Sequence, residues 1–310
     1  MNPEKSEKAK RVLRLAAKMS RQYYNEPLII CYSGGKDSDV LLHLAVDTLD
    51  PADIYALNSH TTVDAPETVY HIREVFAELK EKGIQAEIRK PTYKGEPTTM
   101  WKLIQERNMP PTRIARYCCQ VLKEASSPHR FCALGVRAAE SAKRKGRDAF
   151  GTRGGDVQGR AFFSLDHAEE VYQEAQERDS VWDCKLIESA KKNDELICNP
   201  IYEWTDTDVW EYIRENGIKT NPLYVKGFHR VGCIGCPLGG WKSMLMEFEM
   251  YPKYKRAYIR AFDKMVERNM EKGLKTRWKT GQEVFEWWVN EPTTKGQLKL
   301  LIEEEPCKDK

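Results

Sequence analysis

Six consecutive residues, Ser33-Gly34-Gly35-Lys36-Asp37-Ser38, combine what an anion-binding turn needs. Two adjacent glycines let the backbone turn tightly and approach a ligand closely. The loop N–H groups, with the first turn of a following helix, form a nest whose dipole favours phosphate. Ser33 and Ser38 add hydroxyls, and Lys36 adds a charge. The spacing is neither G-x-x-x-x-G-K-[ST] nor G-x-G-x-x-G, so neither of those phosphate fingerprints applies. A second set of chemistry-bearing residues is sulfur. Cys118-Cys119 lies in RYCCQVLKE, and Cys233 and Cys236 lie in VGCIGCP. A C-x-x-C turn presents two thiolates to one metal centre, as in iron–sulfur sites. Alone it also suits a zinc half-site or a redox pair. Zinc sites normally draw two spaced pairs, so the adjacent Cys118-Cys119 pair favours a cluster.

These groups must be positioned by a folded chain, and the composition supports one. The 310 residues are 41% apolar and 31% charged, with a net charge of only +3. A disordered chain would be poorer in hydrophobics and more unbalanced in charge. No apolar run approaches the roughly 18 residues of a membrane-spanning helix. The first 20 residues mix charge with apolar positions and carry no signal-peptide core. The expectation is a cytoplasmic protein without membrane contact. Nine cysteines, an odd number, then read as ligands or reactive groups rather than a disulfide framework.

Periodicity supplies the elements. Residues 5–24 read as an amphipathic helix. Glu26–Tyr32 is a short apolar run ending at the glycine pair, which reads as a buried parallel strand. A helix over Asp37–Leu49, a strand at Ile54–Asn58, a helix over Pro66–Lys82 and a strand at Gln85–Lys90 follow. Such alternation predicts βαβ units and a parallel sheet. Phe131–Arg137 reads as a further strand, Glu195–Tyr202 as a strand or edge segment, Arg144–Gly159 as a mobile surface loop, and Thr205–Asn216 as a helix capped by Thr205. From about Trp241 the chain is helical and aromatic-rich. The expected fold is α/β, a doubly wound parallel sheet, with an N-terminal helix (1–24), a main domain (25–240) and a helical C-terminal extension (241–310). His43 and His71 read as packing or surface residues, and Trp287-Trp288 as core.

The order of motifs carries a resemblance. SGGKDS matches the PP-loop of the adenine nucleotide α-hydrolase superfamily. It is followed by Pro66-Glu67-Thr68, Cys118-Cys119 before Val121-Leu122-Lys123, and Gly135-Val136-Arg137. Then come Asn199-Pro200, Trp204-Thr205, Asp208-Val209-Trp210, Asn221-Pro222-Leu223-Tyr224 and the C-x-x-C. Over roughly residues 25–240 this resembles the PAPS/APS reductase (sulfonucleotide reductase) family, and in its cysteines the cluster-bearing members. The resemblance implies that Ser33, Gly34, Gly35, Lys36, Asp37, Ser38 and Arg137 bind an adenine nucleotide (ATP, APS or PAPS). Lys36 and Arg137 would also take the catalytic roles. Cys118, Cys119, Cys233 and Cys236 would ligate a [4Fe–4S] cluster.

Two departures bear on the reaction. Sulfonucleotide reductases carry a catalytic cysteine in a C-terminal E-C-G-L-H segment that thioredoxin resolves, and this chain has none. Its last cysteine, Cys307, sits among carboxylates that would raise a thiol pKa, so it reads as a tail residue. SGGKDS is also the full ATP-type loop, which suits pyrophosphate anchoring and, with Mg²⁺, ATP activation. Relatives of that kind include the PP-loop component of DNA phosphorothioation systems, for which a cysteine desulfurase is the expected partner. Charge is clustered too. Residues 113–147 and 251–280 each carry a net +7. The second block interleaves Tyr251, Tyr254, Tyr258, Phe262 and Trp278, which suits nucleic acid or, alternatively, a solvated helix whose aromatics pack inward. The first block also suits nucleotide anions and an anionic cluster.

Overall fold

The computed structural model describes residues 2–124, 129–141, 144–152, 162–177 and 195–289. Its helices are α1 (Pro3–Tyr24), α2 (Lys36–Thr48), α3 (Pro66–Glu81), α4 (Met100–Arg107), α5 (Tyr117–Leu122), α6 (Leu165–Glu177), α7 (Asp206–Glu215), α8 (Trp241–Met250), α9 (Pro252–Glu271) and α10 (Gly281–Val289). Its strands are β1 (Leu28–Cys31), β2 (Ile54–Ser59), β3 (Gln85–Arg89), β4 (Thr92–Tyr93), β5 (Glu96–Pro97), β6 (Cys132–Ala133), β7 (Phe150–Thr152), β8 (Phe162–Phe163) and β9 (Leu196–Cys198). Packing gathers these into two compact units. One draws on Met1–Ser59, Pro66–Arg89 and Ser127–Val231, the other on His60–Ala65, Lys90–Ser126 and Gly232–Lys310.

The first unit holds a seven-stranded sheet in the order β3-β2-β1-β6-β9-β7-β8. Strands β3, β2, β1, β6 and β9 are parallel, and β7 and β8 join antiparallel at one edge. The chain builds outward from β1 to β3 on one side and from β6 on the other. This reversal is the doubly wound α/β arrangement expected from the alternation, and β1 stands at its switch point, where such sheets bind ligands. Pleating explains the continuous apolar run: Leu28 and Ile30 join one core, while Ile29 joins Tyr55, Leu57, Cys132 and Ile197. Helix α1 starts on Pro3 with the Asn2 side chain accepting the Glu4 N–H at 2.9 Å, and stops at Asn25 in the left-handed region. It buries Val12, Leu13, Ala16 and Met19 in the larger core.

Three segments differ from the sequence reading. Phe150–Thr152, inside the stretch read as a mobile loop, is a buried strand paired with β9; residues 153–159 lie outside the described residues. Its glycine and flanking charges hide a signal only three residues long. Leu196–Cys198 is interior rather than an edge, because β7 extends the sheet beyond it. Helix α6 has no counterpart in the sequence reading: its buried Leu165, Ala168 and Ala175 are spaced for a helix but sit among charged residues.

The second unit is mostly helical. Its core is an aromatic cluster in which Tyr258 lies 4.8 Å from Trp101 and from Trp288 by ring centroids, with Phe248, Phe262 and Phe285 around them. Two polar handles of this cluster find carbonyl partners. Trp288 Nε1 donates to the Pro111 carbonyl at 2.6 Å, and Tyr258 Oη donates to the Ile234 carbonyl at 3.0 Å. Tyr258 and Phe262 of the 251–280 block therefore pack inward, leaving Lys253, Lys255, Arg256, Arg260 and Lys264 at the surface. Trp287 departs from the core reading. It is half-buried and packs on Trp278 and Arg277.

Candidate functional site

The loop 33–38 leaves β1 and enters α2. Gly34 has φ +73°, where a side chain is strained. Ser38, in the first turn of α2, ties the loop to itself. Its Oγ accepts from the Ser33 and Gly35 N–H groups, both at 3.2 Å, and donates to the Gly35 carbonyl at 2.8 Å. The surrounding chain holds the outside. Asn221 Nδ2 donates to the Gly34 carbonyl at 2.9 Å and to Thr68 Oγ1 at 3.0 Å. Asn58 Nδ2 donates to the Tyr32 carbonyl at 2.9 Å, and the Lys36 N–H donates to Tyr224 Oη at 2.8 Å. Burial pushes the Tyr224 phenol above its ordinary range, so it stays a neutral hydroxyl. Gly135 comes so close that a Cβ there would stand 3.0 Å from the Asp37 carbonyl oxygen. The sequence alone gives no role to Asn58, Thr68, Gly135, Asn221 or Tyr224. The Pro-Glu-Thr, Gly-Val-Arg and Asn-Pro-Leu-Tyr strings mark all but Asn58.

Two buried cations stand at this loop, Lys36 at 6% exposure and Arg137 at 3%. Arg137 Nε meets Asp37 Oδ1 at 2.7 Å, its Nη1 donates to the Trp204 carbonyl at 3.3 Å, and its Nη2 meets Asp206 Oδ1 at 2.7 Å. Lys36 Nζ meets both Asp37 oxygens at 3.2 Å and the same Asp206 Oδ1 at 3.0 Å. Burial opposes ionisation of Asp206, but hydrogen bonds and charge from Lys36 and Arg137 outweigh it and hold the carboxyl below its ordinary value. The structure thus brings Lys36, Asp37 and Arg137 together with the loop. It adds Asp206, which no sequence signal singles out.

Beneath the loop lies a buried polar network. Tyr32 Oη donates to Asp39 Oδ1 at 2.6 Å and lies 3.0 Å from His71 Nε2, which is itself 3.2 Å from Asp39 Oδ1. His71 is therefore not a simple packing residue. Tyr32 and Asp39 are the residues immediately flanking the six-residue motif, so the network clamps its two ends. His43 is half-buried, with Nδ1 at 3.0 Å from Tyr212 Oη.

The second unit contains the cysteine set. Cys118, Cys119, Cys233 and Cys236 are all half-buried, unlike the buried Cys132 and Cys198; Cys184 and Cys307 lie outside the described residues. The C-x-x-C forms a turn closed by the Cys236 N–H on the Cys233 carbonyl at 3.2 Å, with Gly235 at φ +72°. The thiols share one electrostatic neighbourhood. Cys118 is pushed up first by its hydrogen bond to Cys119, then by burial and by the charges of Cys119, Cys233 and Cys236. Cys119 is lowered first by that same hydrogen bond, with Arg116 Nη2 at 3.5 Å from its sulfur adding to the effect. Lys123 is raised, chiefly by the charge of Cys233, with Asp64, Cys236 and Cys119 contributing. An all-sulfur donor set flanked by Arg116 and Lys123 has the chemistry an anionic iron–sulfur group needs. Among the described residues, though, no three His, Cys, Asp or Glu side chains are drawn close enough to hold a single ion.

The first +7 block contributes residues to both places. Its Arg116 and Lys123 lie by the thiols, and its Arg137 lies by the loop. Comparison with known proteins agrees with the motif order. The profile of the phosphoadenosine phosphosulfate reductase domain matches residues 27–238. The chain belongs to the phosphoadenosine phosphosulfate reductase family. Among curated relatives of this family member, sulfate adenylyltransferase subunit 2 of Hyphomonas neptunium is 26% identical over 64% of this chain and 56% of its own length. The adenosine 5′-phosphosulfate reductase of Neisseria meningitidis is 47% identical over a short stretch, 12% of this chain and 16% of its own. The chain spans about half the length, or less, of the curated relatives it matches over most of its own length. Among solved structures, the phosphoadenylyl-sulfate reductase of Candida auris aligns with TM-score 0.42 at 15% identity, over 70% of this chain and 87% of that one. The U34-tRNA thiolase NcsA of Methanococcus maripaludis, solved with its [4Fe–4S] cluster, aligns with TM-score 0.40 at 15% identity, over 96% and 84%. Among the described residues, no helix is long and apolar enough to cross a membrane.

Proposed function

We propose that this chain is a nucleotide-dependent enzyme of sulfur chemistry that binds an adenine nucleotide at Ser33–Ser38. The observation that carries the reading is the convergence of two buried cations, Lys36 and Arg137, beside a glycine loop at the start of α2. In a low-dielectric setting such fixed charges stabilise developing negative charge without reorganising. With ATP, a substrate oxygen attacks the α-phosphorus, the α–β P–O bond breaks, and pyrophosphate leaves with the electron pair. Lys36 and the loop amides neutralise that leaving group, and Mg²⁺ arriving with the nucleotide would supply further positive charge. With an adenylyl-sulfate, the same groups hold the nucleotide phosphate while sulfur is reduced or transferred. The full SGGKDS loop favours the ATP version.

Cys118, Cys119, Cys233 and Cys236 would hold the [4Fe–4S] cluster, which when bound would supply a sulfide- or electron-handling centre. Arg116 and Lys123 would balance its charge. A non-catalytic binding partner that uses residues 251–280 on nucleic acid is the contrasting reading. The test is anaerobic purification, metal analysis, and incubation with ATP, APS and PAPS. AMP with pyrophosphate identifies the ATP activator, and sulfite identifies the reductase. Lys36→Ala and Arg137→Ala should each abolish either product. No turnover with any nucleotide, in the presence of thioredoxin, a cysteine desulfurase or nucleic acid, overturns the enzymatic reading. Zinc without iron overturns the cluster.

A further inference from the structure

We propose that Asp206 is a built-in plug of the phosphate site, and that it restricts the site to ligands carrying linked anionic groups. The inference rests on the nucleotide reading above. Its basis is one atom: Asp206 Oδ1 lies 3.0 Å from Lys36 Nζ and 2.7 Å from Arg137 Nη2. An oxygen held by two buried cations occupies the place an anionic ligand oxygen takes. The plug and its sockets differ in accessibility. The Asp206 side chain is 70% exposed, whereas those of Lys36 and Arg137 are 7% and 4% exposed. The cations are fixed, and the carboxylate reaches in from solvent.

The other carboxylate on these cations, Asp37, is only 22% exposed and belongs to the loop itself, so it stays when a ligand arrives. The backbone of Asp206 also stays. It is the first residue of α7, whose start is locked by a capping box. There Thr205 N–H and Oγ1 both donate to Asp208 Oδ2 at 2.7 Å, and the Asp208 N–H donates back to Thr205 Oγ1 at 3.2 Å. Lys5 Nζ adds a bond to Asp208 Oδ2 at 2.6 Å. Unplugging therefore needs only a side-chain rotation, not a helix shift.

A tethered carboxylate competes as an intramolecular ligand, with an effective concentration in the millimolar range or above. A single oxyanion merely exchanges one for one with it and gains little. A pyrophosphate or triphosphate displaces Asp206 with one group while its other groups bind the loop N–H donors. Asp206 thus raises the threshold for every anion by the same factor, which linked polyanions clear and inorganic phosphate or a monophosphate does not.

The test is calorimetric titration of wild type and Asp206→Asn with inorganic phosphate, inorganic pyrophosphate and ATP, together with a crystal structure containing pyrophosphate. The variant should bind phosphate and pyrophosphate each about tenfold more tightly, because both must displace the carboxylate in wild type. Without ligand the variant should melt at a lower temperature, because two buried cations lose a partner, and pyrophosphate should restore it. In the wild-type crystal a phosphate oxygen should replace Asp206 Oδ1, with the carboxylate turned to solvent. Equal or weaker anion binding by the variant, while wild type binds ATP, overturns the plug alone. Pyrophosphate bound with Asp206 still on both cations does the same. If neither protein binds any of the three ligands, the nucleotide reading falls and the plug with it. Should Asp206→Asn fail to fold, Asp206→Ser is titrated in its place.

Discussion

The two glycines of the phosphate loop should respond very differently to alanine. Gly34 sits at φ +73°, and a Cβ there would stand 2.9 Å from Ile72 Cγ1, with Ile72 Cδ1 and Thr68 Cγ2 both at 3.2 Å. The left-handed conformation costs a non-glycine residue roughly 1–2 kcal/mol. Ile72 is only 3% exposed in the main core, so it cannot swing away freely. Forcing a methyl into such a core typically costs about 1–3 kcal/mol. Against this, alanine stiffens the unfolded chain and returns about 0.4–1 kcal/mol. Gly34→Ala should therefore lose about 2–4 kcal/mol. At Gly35, φ is −106° and the nearest atoms to a new Cβ are Tyr224 Oη at 3.4 Å, Ser33 Oγ at 3.7 Å and Val231 Cβ at 3.7 Å. These are ordinary contacts. The only loss is a poorer N-cap, about 0.5–1 kcal/mol, and the stiffer unfolded chain offsets much of it. Urea unfolding followed by circular dichroism separates the two variants by about 2 kcal/mol, or roughly thirtyfold in the folding constant. A second arm isolates the clash. Ile72→Ala should cost about 1 kcal/mol less in the Gly34→Ala background than in wild type, because it removes both offending Ile72 atoms. Equal losses at Gly34 and Gly35, or no coupling to Ile72, would refute the geometry argued for this loop.

Other outcomes follow from the same contacts. Asp39→Asn places an amide N–H where Asp39 Oδ2 has no hydrogen-bond partner, at a side chain 3% exposed, and should lower stability by about 1–3 kcal/mol in the same urea assay. Gly235→Ala would put a Cβ 2.5 Å from Phe248 Cζ and 3.0 Å from Trp288 Cη2 at φ +72°. It should reduce iron bound after anaerobic reconstitution, and unchanged iron content would count against a cluster on the C-x-x-C turn. Glu87 is lowered to about 2, first by its hydrogen bond from Arg89 and then, against burial, by Tyr55. Because its folded pKa lies below the unfolded one, its stabilisation is full above pH 4.5 and fades as pH falls toward 2. The side chain is 43% exposed, so screening limits the effect to under about 1 kcal/mol. The stability gap between wild type and Glu87→Gln should close over that pH window.

The α/β alternation, the loop after β1 and the capped helix at Thr205 were legible because each depends on a local pattern of hydrophobicity or turn chemistry. Short elements were not legible. Phe150–Thr152 is a strand only because β9 supplies its partner, and three residues carry too little periodicity to declare it. The helices within residues 241–289 were legible as helix, but their aromatic residues had two readings. Only packing placed Tyr258 and Phe262 inside and left Trp287 half-buried.

From its own letters, then, this sequence determined a family, a phosphate-suited loop and a set of four candidate thiols, because glycine, lysine and cysteine chemistry at fixed spacing is local. The tertiary structure alone decided what surrounds them. Asp206 lies 170 residues from Lys36 in sequence, yet shares one oxygen between that lysine and Arg137. His71 reaches Tyr32 and Asp39 in the same way. Such long-range ion pairs and hydrogen bonds leave no periodic trace along the chain, since they arise only when the sheet brings distant loops to the end of one strand.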